Sequence, residues 1–477
     1  MEDRTKITGS GRTLPEALGG YAGEDTARFH MPGHKGRGMC GFWREDILRW
    51  DVTELSGTDN LHRPEGAILD AQKAMAAAYG AAASFYIVNG STAAVQAMIL
   101  SLPPEEKLLL CRDAHRSAIS GAALGNVPVA YLVPPYEEDN DLTGLPTPDL
   151  LERRLEETGA TAVLLTSPNF YGMCADIPAL SAVAHAHGAL LLVDGAHGAH
   201  FPFSDLLPEG LAGYADLWAH SQHKTMNALT QAASLHLGNC RIPADRVRRI
   251  LAMIETSSPS YLLMSSLDWS VYMGGRQDWS GQVRRMQALE KRIRAVPGLS
   301  VLSKDDVPGA ADRDGTRLVI DVTGRGYTGF AAAALLEAAG IFVEMADARR
   351  LVLITTPEDD PVWYERLLGG LKGLPEREPV RFPKEEAALS RRVLTGLPER
   401  CMTPREAAFA NVEPVPLSAA AGRICGGAVG AYPPGIAVTM PGERMTRATV
   451  DYLLMMERRG ATLFGVDSGR VGLVTEP

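Results

Sequence analysis

The sequence predicts an α/β protein: a mainly parallel sheet layered with helices, followed by a smaller α/β unit and a C-terminal unit. Three observations carry that prediction. Between Pro64 and Leu237 short apolar runs alternate with helical stretches, and such βαβ alternation gives parallel strands covered on both faces. The apolar runs stop at small or polar residues, as at Asn89-Gly-Ser91, Arg112-Asp-Ala-His115, Ser167-Pro-Asn169, Asp194-Gly-Ala-His197 and Ser221-Gln-His-Lys224. These loops point to one rim, the place where open sheets bind ligands. Finally, 477 residues, 45% of them hydrophobic, suffice for about two to four domains and a large core.

In chain order, residues 1–62 hold glycine, histidine and tryptophan with little periodicity and read as an arm that packs on something else. The unit 63–280 starts where Pro64 and Glu65 open an alanine-rich helical stretch to Tyr79, since proline and an acid suit a first helical turn. Strand-like residues 85–88 lead into a helical segment at 91–102, and buried-strand patterns follow at 107–111, 127–133, 161–166, 189–193 and 215–219. One long helical region is expected over 260–295. The smaller unit, 281–375, shows strand patterns at 317–322, 341–344 and 351–355 around a helical pattern at 329–339. A charged segment, Glu376 to Glu386, marks the next boundary, and 376–477 carries Gly- and Pro-rich turns such as Tyr432-Pro-Pro-Gly435.

Composition excludes several functions. With 57 acidic against 47 basic side chains, a net charge of −10 and no basic tract, nucleic acid is not an expected partner, while a cationic small molecule is compatible. Apolar runs such as 160–165 and 189–193 fall far short of the roughly 20 residues a bilayer demands, so no membrane span is expected. Met1-Glu-Asp-Arg-Thr-Lys6 lacks the apolar stretch of a signal peptide. Cysteines at 40, 111, 174, 240, 401 and 425 form no C-x-x-C pair, which suggests a reducing, cytoplasmic setting.

The chemistry concentrates in Ala219-His-Ser-Gln-His-Lys-Thr-Met-Asn227 and in Asp194, which ends a neighbouring strand pattern. Lys224 on such a rim can form a Schiff base with an aldehyde cofactor. Asp194 can keep a pyridine nitrogen protonated, so that the ring accepts electrons from a carbanion. That pairing is what pyridoxal 5'-phosphate requires. Gly90, Ser91 and Thr92 offer the phosphate a close backbone approach, hydroxyls and free N–H groups at a helix start; Ser221 and His223 can add donors. His115 can lie against one ring face, and the small Ala196 can approach the other. Taken singly, these residues have plainer roles as helix caps, loop caps or buried hydrogen-bonding groups, and only their conjunction at strand ends points to a cofactor. His197-Gly-Ala-His200 and His220-Ser-Gln-His223 share the spacing H-x-x-H, but neither has the glutamate of H-E-x-x-H and both sit at strand ends followed by loops, where side chains three apart need not converge. No metal site is expected.

Together with Phe29-His-Met-Pro-Gly-His-Lys-Gly36, Ser167-Pro-Asn-Phe-Tyr-Gly172, Val193-Asp-Gly-Ala-His-Gly-Ala-His200, Ser258-Pro-Ser-Tyr-Leu-Leu-Met-Ser-Ser-Leu-Asp268 and Tyr432-Pro-Pro-Gly-Ile-Ala-Val-Thr-Met-Pro-Gly-Glu443, these motifs resemble the bacterial ornithine/lysine/arginine decarboxylases, in the short form without an N-terminal wing domain. The resemblance spans nearly the whole chain. It implies the pyridoxal phosphate-dependent transferase, or aspartate aminotransferase-like, fold, with residues 376–477 as a C-terminal α+β decarboxylase domain. It implies α-decarboxylation of a basic amino acid in polyamine metabolism. Lys224 would carry the cofactor, Asp194 pair with its ring nitrogen, His115 stack on it, and Gly90, Ser91, Thr92, Ser221 and His223 hold its phosphate. Freed Lys224 or His197 would protonate Cα. It further implies a homo-oligomer, at least a dimer, with shared active sites, in which His34, Lys35, Tyr261 and Glu443 reach the substrate or the neighbouring site. Related short sequences usually read Asp-Glu-Ala-His where this chain has Asp194-Gly195-Ala196-His197, so a carboxylate is missing beside the cofactor aspartate. An aminotransferase, lyase or aldolase on the same scaffold, or a catalytically silent cofactor-binding protein, are the alternative readings.

Overall fold

The computed structural model describes residue 18 and residues 22–39, 47–55, 57–432 and 435–475. Much of the expected arm, including Cys40 and Trp43, and the Pro433-Pro434 pair of the C-terminal turn lie outside the described residues.

Seven strands build the main sheet: β1 (Ala83–Ile87), β2 (Leu108–Cys111), β3 (Val129–Leu132), β4 (Ala162–Thr166), β5 (Leu190–Asp194), β6 (Leu217–His220) and β7 (Ala233–Leu237), in the spatial order β1-β7-β6-β5-β4-β2-β3. All pairs are parallel except those of β7, which runs antiparallel to both β1 and β6. Helices cover both faces, and the strand residues alternate between two cores. Leu108, Leu110, Leu164 and Leu192 face one, while Leu109, Val163, Leu165, Leu191 and Val193 face the other. A strand buried on both sides must be apolar at every position, which is why these runs are legible as uninterrupted apolar stretches.

β7 escaped the sequence reading. Ala-Ser-Leu-His-Leu alternates polar and apolar residues like a half-exposed strand, yet Ser234 and His236 are fully buried. Their polarity is absorbed internally: Gln222 Nε2 donates to Ser234 Oγ at 2.7 Å, and His236 lies 2.7 Å from Ser84 Oγ and 2.6 Å from Ser234 Oγ. The expected long helix over 260–295 is two helices, Tyr261–Gly274 and Trp279–Arg294. The break follows the Gly274-Gly275 pair, and Asp278 starts the second helix by accepting from the Gly281 N–H at 2.7 Å, an N-cap that competes with helix continuation.

Beyond them a four-stranded sheet gathers Ser300–Val301, Arg317–Asp321, Arg350–Ile354 and Met345–Ala346. The N-terminal Ala27–Phe29 pairs in parallel with Ile341–Val343, and Ala27 and Phe29 are buried in the same core as Leu318, Leu353 and Trp363. The arm is thus pinned to the smaller unit. A separate core, with Val429, Met445, Leu453 and Leu473, organises the C-terminal segment.

Candidate active site

Asp194 ends β5 at the centre of the main sheet, opposite Thr166 of β4 on one side and Ala219 of β6 on the other. The chain leaves each of these strands at the same edge, and the loops enclose a cavity of about 640 Å³. Gly90, Ser91, Thr92, His115, Asp194, Ala196, His197, His223 and Lys224 all line it. Ser221 is buried just beneath, at the start of the short helix Gln222–Thr225 that presents Lys224.

The helix Gly90–Leu100 begins at this cavity without a side-chain cap, so its first N–H groups are free to meet an anion. Gly90 takes a φ of +78°, which other residues adopt only with strain. His223 Nδ1 lies 3.2 Å from the Ala232 carbonyl and 3.1 Å from Ser221 Oγ. The carbonyl can only accept, so the ring proton sits on Nδ1 and the Ser221 hydroxyl proton is left to donate elsewhere. Burial lowers the His223 pKa to about 4.

Lys224 Nζ lies 3.0 Å from His197 Nε2. Burial lowers the Lys224 pKa, opposed by the nearby charge of Asp194, and burial holds His197 well below the ordinary histidine range, helped by Lys224 and Arg317. His115 caps the helix Arg116–Gly125 by accepting the Ser117 N–H at its Nδ1. Three buried polar atoms on the cavity residues are unpartnered among the described residues, Thr166 Oγ1, Asp113 Oδ1 and Arg350 Nε. Burial raises the Asp113 pKa to about 6, with Asp194 adding to the rise. Unpaired buried polar atoms are costly, and here they sit beside an uncapped helix start, a buried carboxylate and a desolvated lysine. The donor set fits pyridoxal phosphate.

The expected outer residues have other positions. Glu443 is 1% exposed and accepts two bonds of 2.6 Å from Arg112, and a third at 2.8 Å from the Met440 N–H. Within this chain it joins the C-terminal unit to the loop that carries His115, and it does not line the cavity. Lys35 is buried and donates to the carbonyls of His30 and Ile354 at 2.7 and 2.9 Å. His34 Nδ1 accepts the Gly36 N–H at 3.0 Å. Tyr261 donates its hydroxyl to the Asp59 carbonyl at 2.6 Å. The arm nevertheless touches the site, since the Gly33 N–H donates to the His223 carbonyl at 2.8 Å and Met31 lines the cavity. The two H-x-x-H motifs are split: His197 and His223 face the cavity, whereas His200 and His220 are buried behind it. At Gly195 a Cβ would stand 2.9 Å from Leu211 Cδ1, so a neighbouring leucine crowds the place of the missing side chain. Thr166, Asp113 and Arg317 were not singled out from the sequence. Thr166 and Asp113 each lie at or next to a strand end, which was a usable signal; Arg317 had none, because its partner is 120 residues away.

A parallel sheet with one antiparallel strand, and a lysine and an aspartate at adjacent strand ends, define an enzyme of the aspartate aminotransferase-like fold. Comparison with known proteins agrees. The family described as Orn/Lys/Arg decarboxylase, major domain, matches residues 13–308, and its C-terminal domain matches residues 387–476. An arginine decarboxylase of Bacillus subtilis (strain 168) is 30% identical over 95% of this chain and 95% of its own length. An uncharacterized protein, YaaO, of the same organism is 32% identical over 92% of this chain and 93% of its own. Among solved structures, lysine decarboxylase A from Pseudomonas aeruginosa superposes with a TM-score of 0.77 at 18% identity, over 99% of this chain and 77% of that one. Serine palmitoyltransferase from Sphingomonas wittichii shares the fold at a TM-score of 0.55 and 17% identity, over 73% and 86%. The chain belongs to the Orn/Lys/Arg decarboxylase family, and it is an amino-acid decarboxylase acting on a basic amino acid. Among the described residues no helix is long and apolar enough to cross a membrane.

Proposed function

We propose that the protein uses pyridoxal 5'-phosphate to remove the α-carboxylate of arginine, lysine or ornithine as carbon dioxide, leaving the amine for polyamine metabolism in the cytoplasm. The observation that carries this reading is the meeting, in one cavity, of the desolvated Lys224 amine, the buried Asp194 carboxylate and the uncapped helix start at Gly90. Gly90, Ser91, Thr92, Ser221 and His223 would hold the phosphate, Asp194 the ring nitrogen, and His115 and Ala196 the two ring faces. Bound there, the cofactor supplies an electron sink for the pair released with carbon dioxide. The chain supplies the rest: Lys224 a nucleophilic amine, and Asp194 the charge that keeps the ring nitrogen protonated. The family resemblance implies a homodimer as the working unit. In it Lys35, His34, Tyr261 and Glu443 would hold the arm and the C-terminal unit in place around the substrate.

An aminotransferase would want a free guanidinium to clamp the carboxylate. Of the three arginines on the cavity wall among the described residues, Arg350 is engaged by Asp347 at 3.6 Å and by the Asn140 carbonyl and Arg349 by Asp321 at 3.3 Å, which leaves the exposed Arg116 for that role. The test is carbon dioxide release from arginine, lysine and ornithine, each beside a neutral analogue. Release from at least one cationic substrate, with arginine first because the 30%-identical relative bears that name, is expected. Keto acid as the sole product, or no release from any of the three, overturns the reading.

A further inference from the structure

A lysine that must attack a carbonyl has to rest as an amine, and burial alone does not say where the nearest proton sits. Arg317 decides it. This residue opens the strand Arg317–Asp321 of the smaller sheet and is 1% exposed, behind the cavity wall. Its Nη2 donates to His197 Nδ1 at 3.1 Å and its Nη1 to the Phe170 carbonyl at 3.3 Å. A guanidinium has only donors, so His197 Nδ1 must offer a lone pair. A neutral imidazole with a bare Nδ1 carries its proton on Nε2, and Nε2 is the atom 3.0 Å from Lys224 Nζ. That proton can only be donated, and Nζ can accept it only as an uncharged amine.

We propose that Arg317 is a positioning residue that locks His197 in the Nε2–H tautomer, so that His197 donates to Lys224 and holds it as a free amine. The inference rests on the reading of Lys224 as the cofactor lysine. Burial opposes the protonation of His197 before anything else, and the charge of Arg317 adds to it, as do His223 and His115 whenever they are charged; the edge of Phe170 closes another side at 5.3 Å. The carboxylates of Asp194 and Glu344 act on Lys224. Arg317 is itself held by the neighbouring charge of Asp314, and it fits because Gly172, at a φ of +81°, has no Cβ; one there would stand 2.7 Å from Arg317 Cβ. Two consequences follow. His197 cannot hand its Nε2 proton to a substrate Cα without becoming an anion, which removes it from the candidate proton donors. The contact also joins the two sheets, so Lys224 is set only when the smaller unit is docked.

The experiment uses the full chain with isotope-labelled histidine, the His197 ring nitrogens being assigned by loss of signal in His197→Gln. Wild type is expected to show Nε2 protonated and Nδ1 bare throughout the neutral range. Nδ1 protonated, or both nitrogens protonated, overturns the proposal, whatever the protein turns out to catalyse. In Arg317→Met Nδ1 is expected to gain a proton in part of the population, and the ring to titrate at a higher pH than in wild type. The visible absorbance of the cofactor-loaded variant should then acquire an inflection there that wild type lacks, and Arg317→Lys should restore part of the wild-type profile. An unchanged His197 tautomer and an unchanged absorbance profile in Arg317→Met overturn the proposal. If Arg317→Met does not fold, the wild-type nitrogen signals decide alone. Failure of wild type to bind pyridoxal phosphate would sink the functional reading while leaving the tautomer result standing.

Discussion

The rim of the main sheet and the docked arm each hold a lysine out of water, and they treat it in opposite ways. Burial lowers the pKa of both Lys224 and Lys35. Lys35 is surrounded by oxygen: two carbonyls within 2.9 Å and Asp359 at 3.9 Å. Lys224 has one close polar partner among the described residues, a histidine nitrogen whose tautomer makes it a donor. A buried ammonium needs acceptors, so the first environment stabilises charge and the second removes it. The difference separates a lysine that ties the arm to the smaller unit from one that is ready to react.

Substitution should break this contrast on one side at a time. The largest effect is expected for Lys224→Ala. Decarboxylation should fall by about 10³-fold or more, as for loss of a covalent nucleophile, and the visible absorbance of the lysine-bound cofactor should vanish while thermal unfolding changes little. Lys35→Met should do the reverse. Removing one member of a buried pair and leaving Asp359 without its cation should cost about 3 kcal/mol in urea unfolding, with the cofactor's visible band retained. Equal loss of band and stability in both variants would erase the distinction between the two lysines.

A smaller, pH-dependent effect is expected at Asp113. Its folded carboxyl titrates at about 6 against an ordinary 3.8, so the fold binds this proton more tightly than the unfolded chain does. The resulting stabilisation is complete below pH 3.8 and disappears as the pH rises through about 6. Asp113→Asn copies the protonated form. In the cofactor-free chain it should therefore match wild type in acid and exceed it by about 3 kcal/mol above pH 7, measured by denaturant unfolding across that range. A constant difference between the two proteins at every pH would remove Asp113 from the titrating groups of the site.

Legibility followed burial and sequence distance. Lys224, Asp194, His115 and the Gly90–Thr92 turn were readable because the main strands are buried on both faces and end abruptly, so each loop residue is marked by the apolar run before it. β7 was hidden because its buried face carries Ser234 and His236, whose partners come from Ser84 and Gln222. The resemblance has Glu443 reach for a ligand; the tertiary structure gives it to Arg112, at a sequence separation of 331, in a bidentate buried pair that neutralises its charge.

By itself the sequence determined that this chain folds as an α/β enzyme with a lysine and an aspartate on one rim, because hydrophobic period and strand-end chemistry are local properties. The tertiary structure decided which charged groups neutralise one another and which nitrogen of His197 carries the proton. Those depend on Coulomb and hydrogen-bond contacts of a few ångströms between residues as distant as His197 and Arg317, and separation in space is set only once the two sheets have packed.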